Sequence, residues 1–282
     1  MISTKVLGLF SRKIHMPAVV GALAAGVILG PAGFGMITLE GSTGIFLEEL
    51  AEIGVILLMF NAGLETDLSE LKKNGVASLV TALIGVVVPL LGGFLGYAFF
   101  FHTDFSDYTE LLKAVFVGVV LTATSVSITV ETLREMGKLK GKVGTTILGA
   151  AILDDIIGII VLTVVTSLKD TSVSPVSVLF KILGYFVFIA VITVVLVKMK
   201  SYVEMQDEKR RVVILCVAFC FVMAYVSEEF FGIADITGAY FAGLMLCSMK
   251  IGPYVARRCE IPSYLIFSPV FFASVGLKVT LG

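Results

Sequence analysis

The sequence predicts an all-α, polytopic membrane protein, and three observations carry that prediction. Of its 282 residues 57% are hydrophobic and only 15% charged, against roughly 45–50% and about 25% in soluble domains. Mean hydropathy is +1.02. Apolar runs long enough to cross a bilayer alternate with short polar loops, and none shows the period-2 alternation of a barrel strand. The net charge of −1 offers no basic field to nucleic acid, and 28 glycines and 7 prolines are too few for a linker or collagen. Four cysteines without a CxxC or Cys/His cluster exclude a disulfide scaffold. Those cysteines and the two histidines, His15 and His102, read as small apolar residues within helices.

The apolar runs number nine. Segment A (17–35) follows Met16-Pro17 and contains Pro31; B (49–64) ends at the acidic stretch Glu65, Asp67, Glu70; C (76–101) and D (113–133) follow. E (144–167), F (176–197) and G (212–230) are each near the ~20 residues a spanning helix needs. H (234–249) is short, and I (263–280) closes the series. The opening MISTKVLGLFSRK lacks the apolar core and cleavage site of a signal peptide and reads as the tail of a helix whose beginning is absent.

Loop charges orient these segments. One side takes Lys5, Arg12, Lys13, Lys72, Lys73, Arg134, Lys138, Lys140, Lys142, Lys198, Lys200, Lys209, Arg210, Arg211, Lys250, Arg257 and Arg258; only Lys113, Lys169, Lys181 and Lys278 fall on the other. The basic side is expected in the cytoplasm, with the start of the residue-17 helix there, in a multi-pass protein of a cell membrane, such as a bacterial inner membrane.

Two motifs recur in order. Gly21-Ala-Leu-Ala-Ala-Gly26 in A matches Gly238-Ala-Tyr-Phe-Ala-Gly243 in H as G-A-x-x-A-G, and the G-L-x-x-x-L of B (from Gly63) returns in I (from Gly276). Seven spans separate the copies, so the second enters from the opposite face, as in the inverted repeats of secondary transporters. The expected organisation is a single transmembrane exchanger domain, 1–282, with a first repeat at 17–167 and a partial second at 234–282. By this logic three helices are missing after residue 282.

The chemistry is expected on E, where Asp154 and Asp155 sit about ten residues in. One charge at that depth costs ~2.5–3.5 kcal/mol on insertion scales, so two adjacent carboxylates call for a function. Neighbours on a helix point ~100° apart, so one can face an aqueous cavity and the other a helix partner. A carboxylate in that setting can trade a proton for a cation. Segment D supplies Thr122, Thr124, Ser125, Ser127 and Thr129, oxygens that suit a hard cation and backbone groups freed by an unwound stretch, or that bond back to their own helix. Asn61 can line the cavity or bond between helices. Glu65, Asp67 and Glu70 read as a solvated loop, and Lys278 as a snorkelling cation.

The stretches LLMFNAGLETDLSEL (57–71), TATSVSITVETLREMGKLKGKVGTTILGAAILDDIIGII (122–160) and PVFFASVGLKVTL (269–281) resemble the monovalent cation:proton antiporter-2 family, the Kef/Nap-type sodium/proton exchangers, and the resemblance covers essentially the whole chain. It implies a sodium or potassium/proton antiporter working by alternating access in the lipid bilayer, with no cofactor, and a homodimer. It implies Asp155 as principal cation ligand, Asp154 as its partner, and Thr124 in an unwound stretch, with Thr122 and Ser125 beside it. It also implies an additional N-terminal helix and three C-terminal helices absent here. The alternatives are a Kef-type potassium efflux channel or transporter and a non-transporting truncated fragment. An intramembrane aspartyl protease needs two aspartates facing each other from different helices, which an adjacent pair on one helix does not give. The chain is therefore not expected to be an enzyme.

Overall fold

The computed structural model describes every residue except 40, 104, 170–174, 205–209 and 281–282. All regular secondary structure among the described residues is helical. In order they form α1 (Ile2–Lys13), α2 (Ala18–Leu29), α3 (Gly41–Glu65), α4 (Leu68–Lys73), α5 (Gly75–Phe101), α6 (Tyr108–Thr122) and α7 (Val126–Glu135). There follow α8 (Lys142–Lys169), α9 (Pro175–Glu204), α10 (Arg210–Phe231), α11 (Asp235–Cys247) and α12 (Gly252–Pro262), a π-helical turn (Ser263–Phe267) and α13 (Ser268–Leu277).

Among the described residues six helical stretches are long and apolar enough to cross a membrane: Gly75–Phe101, Tyr108–Glu135, Lys142–Leu168, Pro175–Lys200, Arg210–Phe231 and Gly252–Leu277. That is fewer than the nine expected segments, for physical reasons. Segments A and H are α2 and α11, of 12 and 13 residues, which at 1.5 Å per residue reach only about 20 Å. Segment B is α3, whose outer half carries Glu48, Glu49 and Glu52. Segment I starts earlier than expected: Arg257 and Arg258 belong to α12 rather than to a loop, and the chain runs through the π turn into α13. Lys209 lies outside the described residues. Nor do the histidines sit within helices: His15 and His102 take left-handed φ values of 61° and 47° in turns at helix ends.

The packing divides the helices into two groups. One comprises α1, α2, α3, α10, α11, α12 and α13; the other α5, α6 and α8. α7 touches both, through α2 and α3 on one side and α8 on the other, and so does α9, through α10 and α11 on one side and α8 on the other. The core of the first group is α3, buried without interruption from Gly54 to Leu64. It is reached by glycine contacts. A Cβ on Gly243 of α11 would collide with the Phe60 carbonyl, and one on Gly63 with the Tyr240 carbonyl. A Cβ on Gly26 of α2 would collide with the Ala273 carbonyl, and one on Gly276 with the Leu23 carbonyl. The second glycine of each G-A-x-x-A-G motif thus meets the glycine of the other copy's G-L-x-x-x-L: α2 packs on α13 and α11 on α3. The first glycine of each motif packs on the preceding helix, Gly21 against Leu7 of α1 and Gly238 against Met223 of α10. Small residues let the backbones approach to this distance.

Candidate ion-exchange site

Residues 123–125 interrupt the second helical group between α6 and α7. Ala123 and Ser125 are extended, with ψ of 110° and 101°, so the last carbonyls of α6 and the first amides of α7 lose their helical partners. Local hydroxyls take up part of that deficit. Thr122 Oγ1, buried, donates to the Val119 carbonyl at 2.8 Å. Ser125 Oγ accepts from the Ile128 amide at 3.4 Å and caps α7. Thr129 Oγ1 donates to the Ser125 carbonyl at 2.9 Å, and Thr124 Oγ1 to the Thr122 carbonyl at 3.3 Å. The back-bonding reading of these hydroxyls therefore describes much of what they do, and the oxygens keep lone pairs to spare.

α6 and α7 both pack on α8, which carries Asp154 and Asp155 half-way along its length. Both aspartates are half-buried. The Thr124 side chain is the neighbour of the Asp154 carboxyl, and the Asp154 carboxyl that of Asp155. Asp154 Oδ1 is buried with no hydrogen-bond partner among the described residues. Such an oxygen carries a desolvation cost that a proton or a cation would remove. Thr124 and Ser125 lie on the exposed side of the break, whereas Thr122 is buried against its own helix.

The weaker candidates have other partners. Asn61, fully buried, donates to Ser263 Oγ of the π turn at 3.1 Å, an interhelical bond, and its Oδ1 has none. Glu65 pairs with Arg134 rather than lying free in a loop. Asp67 caps α4, accepting from the Ser69 and Glu70 amides at 2.8 and 3.3 Å. The Ser69 hydroxyl first, then those amides, hold the Asp67 carboxyl below its usual range. Glu70 pairs with Lys73 at 3.0 Å, and Lys278 with Glu48 at 3.1 Å.

Two clusters escaped the sequence reading. Glu131, Arg134 and Glu135 form a network on α7; their i, i+3, i+4 spacing was the available signal. Glu52, Glu228 and Asp235 bring their carboxylates within 4.8 Å of one another, beside a cavity of about 420 Å³ that Lys278 also lines. Nothing in their spacing, from α3, α10 and α11, announced that meeting.

The family described as "Sodium/hydrogen exchanger, transmembrane" matches residues 1–282. The chain belongs to this exchanger family. It is 39% identical over 285 residues to the probable Na(+)/H(+) antiporter GerT of Bacillus cereus, covering 99% of this chain and 72% of that one. It is 38% identical to the Na(+)/H(+)-K(+) antiporter GerN of the same organism, covering 99% and 70%. Among solved structures it is similar to the sodium proton antiporter MjNhaP1 of Methanocaldococcus jannaschii, with a TM-score of 0.67 at 19% identity over 99% of this chain and 68% of that one. That likeness establishes the fold, and the exchanger's relatives are transporters rather than enzymes.

Proposed function

We propose that the protein exchanges a monovalent cation, sodium or potassium, for protons by alternating access, the two competing for the Asp154–Asp155 pair. The observation that carries this reading is the buried, partnerless Asp154 Oδ1 on a helix that packs against the break at Thr124. Asp155, about 100° round the helix from Asp154, is the principal cation ligand in this scheme, with Asp154 and Thr124 beside it and Thr122 and Ser125 as further oxygens. A proton neutralises the carboxylate in one half of the cycle and a cation in the other, so the loaded site is never a bare charge in an apolar setting. The relatives' names include sodium alone for GerT and both sodium and potassium for GerN, which favours a site admitting either.

The finer placement in the cation:proton antiporter-2 group rests on the adjacent Asp-Asp pair. The crossed glycine contacts, α2 with α13 and α11 with α3, support the inverted repeat of 17–167 and 234–282. The loop charges support a cytoplasmic start of α2 in a bacterial inner membrane, and the assembly proposed is a homodimer. The test is dequenching of a pH-sensitive dye in proteoliposomes on addition of sodium or potassium. The wild-type protein should release protons and Asp155→Asn should not. Exchange by that variant at the wild-type rate and half-saturating concentration would remove Asp155 from the mechanism.

A further inference from the structure

Helix α7 has only ten residues, and three of them, Glu131, Arg134 and Glu135, share one face by their i, i+3, i+4 spacing. All three side chains are largely buried although all are ionisable, and each finds its partners on the other helical group. Glu135 Oε2 accepts the Ala18 amide at 2.6 Å, and its Oε1 pairs with Arg12 at 3.2 Å. Ala18 opens α2, whose own N-cap is Pro17 and supplies no side-chain cap. The carboxylate therefore caps α2 from 117 residues away. Arg134 pairs with Glu65 of α3 at 2.5 Å and Glu260 of α12 at 3.8 Å, and lies 5.0 Å over the Tyr264 ring of the π turn. Glu131, 4% exposed, has the Tyr264 hydroxyl as hydrogen-bond partner and a second oxygen with none. It lines a cavity of about 270 Å³ with Lys5, Arg12, Tyr264 and Ser268.

α7 is joined through residues 123–125 to the group that carries Asp154 and Asp155. Every contact just described ties its far end to the other group. At the opposite end the groups are linked differently: α9 packs on α8 and, through Tyr185 against Phe231, on α10, while Glu52, Glu228 and Asp235, all of the first group, gather around an open cavity. We propose that Arg134 and Glu135 form an ionic latch that holds the two helical groups together at the end bearing the C-terminus of α7, the cytoplasmic end in the orientation above. The latch must part for the aspartate-bearing group to open to that side. The inference rests on the alternating-access reading, but its test does not require exchange.

The reporter is a Ser268→Cys substitution, made in a protein whose Cys216, Cys220, Cys247 and Cys259 are replaced by alanine. Ser268 is 4% exposed and lines the cavity beneath the latch. The rate at which a membrane-impermeant maleimide modifies the new thiol from the α7 side is measured in vesicles without ion gradients. With the latch intact modification should be slow. Arg134→Ala should raise it by about ten-fold or more, since it removes one partner of a mostly buried charge pair, and Glu135→Ala should raise it as well, since it removes both the Ala18 cap and the partner of Arg12. Lys138→Ala, an exposed cation three residues on, should leave it unchanged. Arg134→Lys, which keeps a cation facing Glu65 and Glu260, should hold modification slower than Arg134→Ala does, a difference that a general loosening of the fold would not produce. If Arg134→Ala does not yield monodisperse protein, Glu135→Ala takes its place. Modification as slow in the latch variants as in the parent would overturn the proposal, as would equal acceleration by Lys138→Ala. Fast modification in the latch variants of a protein that proves unable to exchange ions would keep the latch and sink the exchange reading instead.

Discussion

Adding one methyl group at Gly243 probes a close backbone approach between α11 and α3. The Cβ of an alanine there would press on the Phe60 carbonyl and lie 2.8 Å from the Leu64 nitrogen and 3.0 Å from the Gly63 carbonyl carbon. All three are backbone atoms in the fully buried stretch of α3, so no side chain can swing aside and the helices must separate. Overpacking of this kind costs about 1–3 kcal/mol, and rigid backbone on the far side puts Gly243→Ala near the top of that range. Alanine's better helix propensity returns only about 0.5–1 kcal/mol. The net loss is about 2 kcal/mol. Gly85→Ala is the internal control: on α5 an added Cβ meets nothing within 4 Å, so only the propensity gain remains. At about 2–4 °C per kcal/mol for chains near this size, Gly243→Ala should melt roughly 5–10 °C below Gly85→Ala. The assay is thermal unfolding in detergent, followed by fluorescence-detected size exclusion. Melting temperatures within about 2 °C of one another would show that α3 and α11 slide apart at no cost, and the glycine argument would fail.

Two further outcomes follow from the site and its flanks. If Asp154 and Asp155 release two protons for one cation, each cycle moves net charge worth ~2.3 kcal/mol per 100 mV; an imposed potential should change the exchange rate in tight vesicles, and equal rates would mean electroneutral exchange. Asp67, whose carboxyl titrates below its usual 3.8, contributes its cap fully above that value and loses it as pH falls through the lower folded value. Asp67→Ala should therefore speed amide exchange of Ser69 and Glu70 at neutral pH while leaving the global melt unchanged; protection at wild-type levels would show that the side chain does not cap α4.

The sequence was most legible where one physical constraint dominates. Apolar length revealed α5, α8, α9 and α10, because a bilayer leaves little else for such runs to do. Asp154 and Asp155 were conspicuous because charge at that depth is rare. The hydroxyl run from Thr122 to Thr129 pointed to the stretch where the chain unwinds. What stayed hidden was set by partners distant in sequence. Arg257 and Arg258 read as loop cations, yet α12 carries them in a helix, with the Arg258 guanidinium 5.4 Å over the Tyr254 ring. Glu135 lies beyond the end of segment D, and nothing local tells that its carboxylate will meet the Ala18 amide. Lys278 read as a snorkelling side chain, and Glu48, the partner it finds, lies 230 positions earlier. Periodicity and hydropathy are local measures, and none of these pairings is local.

The crossed glycine contacts have a consequence for how the chain is made. Gly26 waits for Gly276, which follows 250 positions later, and Gly63 for Gly243, 180 positions later. At about 5–20 residues per second, α2 emerges tens of seconds before the helix that covers its glycine face. With only 12 residues it is too short to lie across the membrane on its own account, and α1 is the neighbour made early enough to shelter it. Gly21, packed against Leu7, is thus the contact available as soon as α2 is made, and Gly26 the one completed only once α13 has followed. The first glycine of the motif serves early insertion and the second the packing that α13 completes, so mutations at the two should be told apart by when the protein fails: before α13 is made at Gly21, after it at Gly26.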